Sequence, residues 1–155
     1  MKGVDGIREA LNELGPRDIC VASSSSVERI RASLRIVGFS RLFEPNLFSA
    51  TEVANGKPAP DLFLLAAERM GADPSDCLVI EDSVPGVTAA ARAGMAVFGY
   101  VGGGHIVGVA HGERLRAAGA ELAFDDMREL PRLIRRQRVL RPASEWTTGK
   151  GLGNG

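Results

Sequence analysis

Repeatedly along this chain a short apolar stretch runs straight into a polar cluster and then into a helical pattern, an order that restricts it to β–α units around a parallel sheet. The clearest case is Cys77-Leu78-Val79-Ile80, followed at once by Glu81-Asp82-Ser83 and a helical pattern through Val87 to Ala93. Ser83 fits the N-cap of that helix, since a serine hydroxyl there can accept from a free first-turn amide. Asp18 to Ala22 has the continuous apolar character of a strand buried on both faces. It leads through Ser23-Ser24-Ser25-Ser26 into a helix from Val27 to Val37, which buries Ile30, Leu34 and Val37 and closes at Gly38.

The same reading orders the rest of the chain. Gly6 to Leu14 is an amphipathic helix ended by Gly15-Pro16, and Leu47-Phe48-Ser49 is a weaker strand. Asn55-Gly56-Lys57-Pro58-Ala59-Pro60-Asp61 is a stiff loop whose prolines hold the lysine where the backbone puts it. Leu62 to Met70 is a helix, Ala96 to Tyr100 a strand and Gly102-Gly103-Gly104 a loop, and then come a helix over Glu113 to Ala118, a strand over Leu122 to Phe124 and a helix over Met127 to Arg136. From about Arg135 the pattern fails, and Thr147 to Gly155 is glycine-rich without apolar spacing. This end reads as a frayed tail, with a basic contact patch as the alternative. The expected division is a core over 1–134 and a flexible tail over 135–155.

A length of 155 residues suits one core, and 45% hydrophobic with 25% charged residues is the make-up of an ordinary globular protein. Nineteen acidic residues balance nineteen basic ones, so no global field draws nucleic acid or an anionic membrane to the chain. No apolar run approaches the ~18 residues of a membrane helix and the start has no signal-peptide form, so the expected compartment is cytoplasmic. Cys20 and Cys77 sit inside aliphatic runs and read as buried thiols.

Ligands of an open parallel sheet gather at the carboxyl ends of its strands, where loops and helix N-termini converge with free N–H groups. Ser23 and Ser24 stand at one such end, Lys57 in the loop after another, and Glu81 and Asp82 at a third. Singly, a serine run is a turn, a Gly-Lys-Pro string a surface loop and a Glu-Asp pair a solvated helix start. In this order they describe a site for phosphoryl chemistry: hydroxyls for phosphate oxygens, an ammonium to offset their charge, and carboxylates for Mg²⁺.

Ala22-Ser23-Ser24, Gly56-Lys57-Pro58-Ala59-Pro60-Asp61 and Val79-Ile80-Glu81-Asp82-Ser83, with Gly86-Val87 and Ala89-Ala90, together resemble haloacid dehalogenase-like hydrolases of the β-phosphoglucomutase and sugar-phosphate phosphatase branch. The likeness runs from about Gly3 to Leu133, and Gly94-Met95 and Gly102-Gly103-Gly104-His105 extend it. It implies a three-layer α/β/α Rossmann-like fold and Mg²⁺-dependent phosphoryl transfer on a small phosphorylated metabolite, a sugar phosphate, through an aspartyl-phosphate. It also implies site roles. Ser23 would hydrogen-bond the transferring phosphoryl group and Lys57 stabilise its charge, with Ser24 as a further phosphate contact, while Glu81 and Asp82 would hold Mg²⁺ directly or through water.

In that family the nucleophile lies in an Asp-x-Asp-Gly string after an N-terminal strand, with a helical cap between it and the serine motif. No such string occurs here. Val4-Asp5-Gly6 is similar to its end, but Gly3 stands two before Asp5 and no apolar strand precedes it, so Asp5 is expected to start a helix. The nucleophile strand would lie mid-sheet, between the strands ending at Ser23 and Glu81, and without it two edges would carry unpaired groups costing roughly 1–3 kcal/mol each if buried. The expected remedies are closing up, self-association, or a missing N-terminal segment, and the isolated chain is expected to be inactive. The rival reading is a non-catalytic module that binds phosphate and Mg²⁺ or serves assembly. A dinucleotide-binding oxidoreductase would need glycine where Val107 stands, and does not fit.

Overall fold

The structure is a computed structural model that describes residues 5–15, 18–102, 106–140 and 152–154. Gly103, Gly104 and His105 lie outside the described residues, as do Val4 and most of the expected tail. The elements are α1 (Ile7–Leu14), β1 (Ile19–Ser23), α2 (Val27–Val37), α3 (Ser40–Phe43), β2 (Leu47–Ser49), α4 (Asp61–Arg69), β3 (Leu78–Glu81), α5 (Val84–Arg92), β4 (Ala96–Tyr100), α6 (Ile106–Ala118), β5 (Leu122–Phe124), α7 (Leu130–Leu140) and β6 (Leu152–Asn154). The strands form one sheet in the order β2-β1-β6-β3-β4-β5, with every pairing parallel.

Strand alternation divides the core between two faces. Cys20 and Ala22 of β1, Val79 of β3 and Val97 of β4 pack with Leu62, Phe63, Ala66 and Ala67 of α4 and Val87, Ala89 and Ala90 of α5. Their neighbours Ile19, Leu78, Ile80 and Phe98 turn the other way and meet Ala10 of α1, Ile30 of α2, Phe43 of α3 and Ile134 of α7. Helices therefore cover both faces, which is the three-layer α/β/α arrangement. The small side chains of α5 let that helix lie close on the sheet, and Ala89 and Ala90 are fully enclosed.

The middle of the sheet departs from the sequence expectation. The slot between β1 and β3, which the sequence reading leaves without a strand, holds β6: Leu152, Gly153 and Asn154 pair with Ile19, Cys20 and Val21 on one side and with Leu78, Val79 and Ile80 on the other. The expected tail covers 135–155, and within it α7 runs on to Leu140 while Leu152–Asn154 is this strand. Two exposed ladders facing each other across one slot favour any extended segment that can bond to both, so the pairing comes from the neighbours rather than from strand propensity in Leu-Gly-Asn.

Neither cysteine is in a disulfide among the described residues; Cys20 is buried and Cys77 half-buried. Burial, with a smaller contribution from nearby Cys77, pushes the Cys20 thiol up to about 12. At neutral pH it is a protonated core group and a poor nucleophile. Among the described residues no helix is long and apolar enough to cross a membrane.

Candidate functional site

Two strand ends, those of β1 and β3, and the Lys57 loop meet above the end of β6. Its last residue, Asn154, pairs with Val21 and Ile80, so Ala22 and Ser23 of β1 and Glu81 of β3 project past it on either side. Lys57 spans that gap: its Nζ donates to Glu81 Oε1 at 2.9 Å and to the Ala22 carbonyl at 3.4 Å, and it lies 5.0 Å from the centroid of the Phe63 ring. The Lys57 and Glu81 side chains are only 8% and 1% exposed. The four other ion pairs among the described residues leave their side chains 38–60% exposed, where such pairs contribute little. Lys57–Glu81 is therefore the ion pair on which the local architecture depends.

The lysine is held from its loop. The Asn55 backbone and side-chain amides both donate to Asp61 Oδ2, at 3.2 and 3.3 Å, closing the loop across its base. The Ala59 amide turns back onto the Gly56 carbonyl at 3.0 Å, and Arg92 of α5 donates to the Pro58 carbonyl at 3.3 Å.

The serine turn is anchored differently. Ser25 N–H donates to Ser23 Oγ at 3.1 Å, which occupies that oxygen as an acceptor and leaves its O–H hydrogen without an acceptor among the described residues. Ser26 caps α2 by accepting from Arg29 N–H, and Ser24 is exposed beside the strand end. Buried Ser49, at the end of β2, donates to the Ser25 carbonyl at 2.6 Å and ties the turn to the neighbouring strand.

Glu81 is 2% exposed, and both its oxygens are engaged, Oε1 by Lys57 and Oε2 by the Ser83 hydroxyl at 3.1 Å. The Ser83 oxygen in turn accepts from Gly86 N–H at 3.1 Å, so the expected cap of α5 also fastens the acid. Gly86 is glycine for a spatial reason: a Cβ there would land inside the Glu81 carboxylate. Asp82 points the other way in character, with an exposed side chain and a carbonyl that takes a 2.6 Å hydrogen bond from His111 on α6.

Ser23, Lys57, Glu81 and Asp82 are thus gathered at one end of the sheet, with Ser24 at its margin. Asp5 is elsewhere. Burial raises the Tyr100 hydroxyl above its ordinary range, and the charges of Asp126, Asp125 and Asp5 add to the shift, which places Asp5 near the end of β4. Gly6, in the left-handed region at φ 85°, starts α1 beside it. Sequence reasoning missed Ser49, the Asn55–Asp61 clasp and His111. Asp61 lies in the quoted loop string and was within reach, whereas Ser49 and His111 act on residues 24 and 29 positions away and leave no local signal.

A family model described as haloacid dehalogenase-like hydrolase matches residues 2–94. The chain is similar to the β-phosphoglucomutase of Mycobacterium bovis, 38% identical over 129 residues that make up 81% of this chain and 48% of that protein. It is also similar to the fructose-1-phosphate phosphatase of Escherichia coli, 41% identical over 81 residues, 52% of this chain and 43% of that one. Among solved structures, a conserved haloacid dehalogenase-like protein from Agrobacterium tumefaciens superposes with a TM-score of 0.78 at 38% identity, covering 88% of this chain and 61% of that one. The chain spans about half or less of the length of these curated relatives. With the family match covering more than half of its 155 residues, the chain belongs to the haloacid dehalogenase-like hydrolases.

Proposed function

We infer that this chain forms the phosphate- and magnesium-organising part of a phosphatase whose substrate is a small phosphorylated metabolite, of the sugar-phosphate class. The observation that carries this reading is the buried Lys57 ammonium, held between Glu81 at 2.9 Å and the Ala22 carbonyl at 3.4 Å, next to a serine whose hydroxyl hydrogen has no acceptor among the described residues. Fixed positive charge in a poorly hydrated site offsets the charge of phosphoryl oxygens far more than it would in water. Ser23 donates to such an oxygen, Ser24 lies at the margin as a further phosphate contact, and Lys57 supplies the charge. The names of the relatives, a fructose-1-phosphate phosphatase and a β-phosphoglucomutase, support the substrate class.

The donor set suits a magnesium ion of limited protein coordination. Asp82 is exposed and free to bind, while Glu81 has both oxygens engaged and acts through water, and no group of three or more metal-ligating side chains occurs among the described residues. One carboxylate, waters and phosphate oxygens are the usual company of Mg²⁺ at phosphoryl sites. When bound, the ion neutralises charge on the phosphoryl oxygens.

The attack on phosphorus is assigned to an aspartate that this sequence does not contain in its family string, since no Asp-x-Asp-Gly occurs in it. Forming the aspartyl-phosphate therefore requires a nucleophile from outside these residues. The isolated chain is expected to hydrolyse p-nitrophenyl phosphate no faster than the Mg²⁺-containing buffer. Turnover that Lys57→Ala abolishes would overturn this assignment.

A further inference from the structure

We propose that His111 is the positioning residue of the acid turn, holding Asp82 in the orientation its carboxylate needs. Three observations lead there. The His111 ring nitrogen Nε2 lies 2.6 Å from the Asp82 carbonyl oxygen. That carbonyl sits one residue past β3 and one before the α5 cap, outside both backbone ladders, so the imidazole is its partner. A carbonyl can only accept, so Nε2 must carry the hydrogen, and the geometry fixes the protonated nitrogen of the ring.

The second observation concerns α6 itself. His111 is followed by buried Gly112, where a Cβ would stand 3.2 Å from the Ala123 Cβ on β5, and Leu115 one turn on is fully buried. Those two contacts set the rotation of α6 on the sheet, and with it the direction in which His111 points. The third is the tether on the far side of the same peptide group. Ser83 is fastened by its cap to Gly86 N–H and by its hydroxyl to Glu81. With the Ser83 side fixed by α5 and the Asp82 carbonyl fixed by α6, the peptide plane between them has no free rotation, and the Asp82 side chain leaves the backbone in one direction. Partners of this kind, behind a ligand rather than on it, commonly change metal affinity 10- to 100-fold when removed.

The link to ligand binding rests on the reading of Asp82 as the metal-side acid, and the test keeps the two apart. In the full chain with ¹⁵N-labelled histidine, His111 is expected to show a protonated Nε2; a ring protonated only on Nδ1 would overturn the hydrogen bond and the proposal with it. Amide hydrogen exchange at Ser83 and Val84 should rise at least about tenfold in His111→Phe and return to within about threefold in His111→Gln, which keeps an N–H donor, while Val79 and Ile80 exchange as before. Unchanged exchange in His111→Phe would overturn the positioning role. In Mn²⁺ titrations with inorganic phosphate followed by electron paramagnetic resonance, His111→Phe should weaken binding about tenfold and Asp82→Asn at least as much. If Asp82→Asn weakens binding and His111→Phe does not, the proposal falls; if Asp82→Asn has no effect, the metal reading of Asp82 falls and the exchange data decide the role of His111.

Discussion

Lys57→Ala is expected to lower the unfolding free energy by about 3–5 kcal/mol, the usual consequence of leaving one charge of a buried pair without its partner. Glu81 is 2% exposed and the lysine side chain 8%, so the variant strands a carboxylate that is otherwise enclosed at the junction of β1, β3 and α5. The variant also frees the Ala22 carbonyl contact and removes the cation from above Phe63. Urea unfolding followed by circular dichroism measures the loss. A double variant, Lys57→Met with Glu81→Met, should recover most of it, because a buried ion pair is worth little more than apolar groups of its size. A loss under about 1 kcal/mol in Lys57→Ala would mean that the pair is not enclosed as described here.

Gly86→Ala should be nearly as damaging, and with the opposite sign to the ordinary rule. In a helix, alanine normally outperforms glycine by about 1 kcal/mol. At position 86 the new methyl would occupy the space of the Glu81 carboxylate and crowd its Cγ, and that side chain is pinned by Lys57 and Ser83 rather than free to swing aside. The expected result is a destabilisation of about 2 kcal/mol or more, combining overpacking with a displaced buried acid. The decisive measurement is a double-mutant cycle with Glu81→Ala: once the carboxylate is gone, Gly86→Ala should cost nothing or stabilise, giving a coupling energy of about 2 kcal/mol. Equal effects in both backgrounds would remove Glu81 as the reason for this glycine.

What could be read in the sequence follows from which forces are local. The helix from Val27 to Val37 was legible to the residue, because Ser26 caps one end and Gly38, at φ 80°, ends the other, and both signals lie next to the element they bound. Strand β3 and its polar exit were legible because an apolar run cannot be anything but enclosed. Helix α6 was half-missed: its first turns contain Val, Gly and Ala with exposed Val109, so no apolar stripe announces them, and only the sheet contacts of Gly112 and Leu115 make a helix there. Strand β6 had no local signal at all. The vacancy between β1 and β3 could be anticipated, but which segment enters it is decided by bonding partners more than 70 residues away in sequence.

The same distinction separates the parts of the site. Ser23 and Glu81 stood out because each polar residue follows an apolar run where a buried strand must end, and Lys57 because its proline-flanked loop follows another strand. That Glu81 is wholly engaged while Asp82 is exposed could not be read from two adjacent acids, since it depends on side-chain alternation at the strand exit, on a glycine five positions on and on a histidine in another helix.

In the function proposed above, the ends of β1 and β3 and the Lys57 loop make one phosphate-binding space completed by Mg²⁺. The most direct measurement is an amide nuclear magnetic resonance titration of the full chain with inorganic phosphate, with and without Mg²⁺. Shifts are expected at Ser23, Ser24, Lys57 and Asp82 that saturate together at a single phosphate concentration, strengthen when Mg²⁺ is present and vanish in Lys57→Ala. Shifts confined to one of the three segments, or saturating at unrelated concentrations, would contradict it.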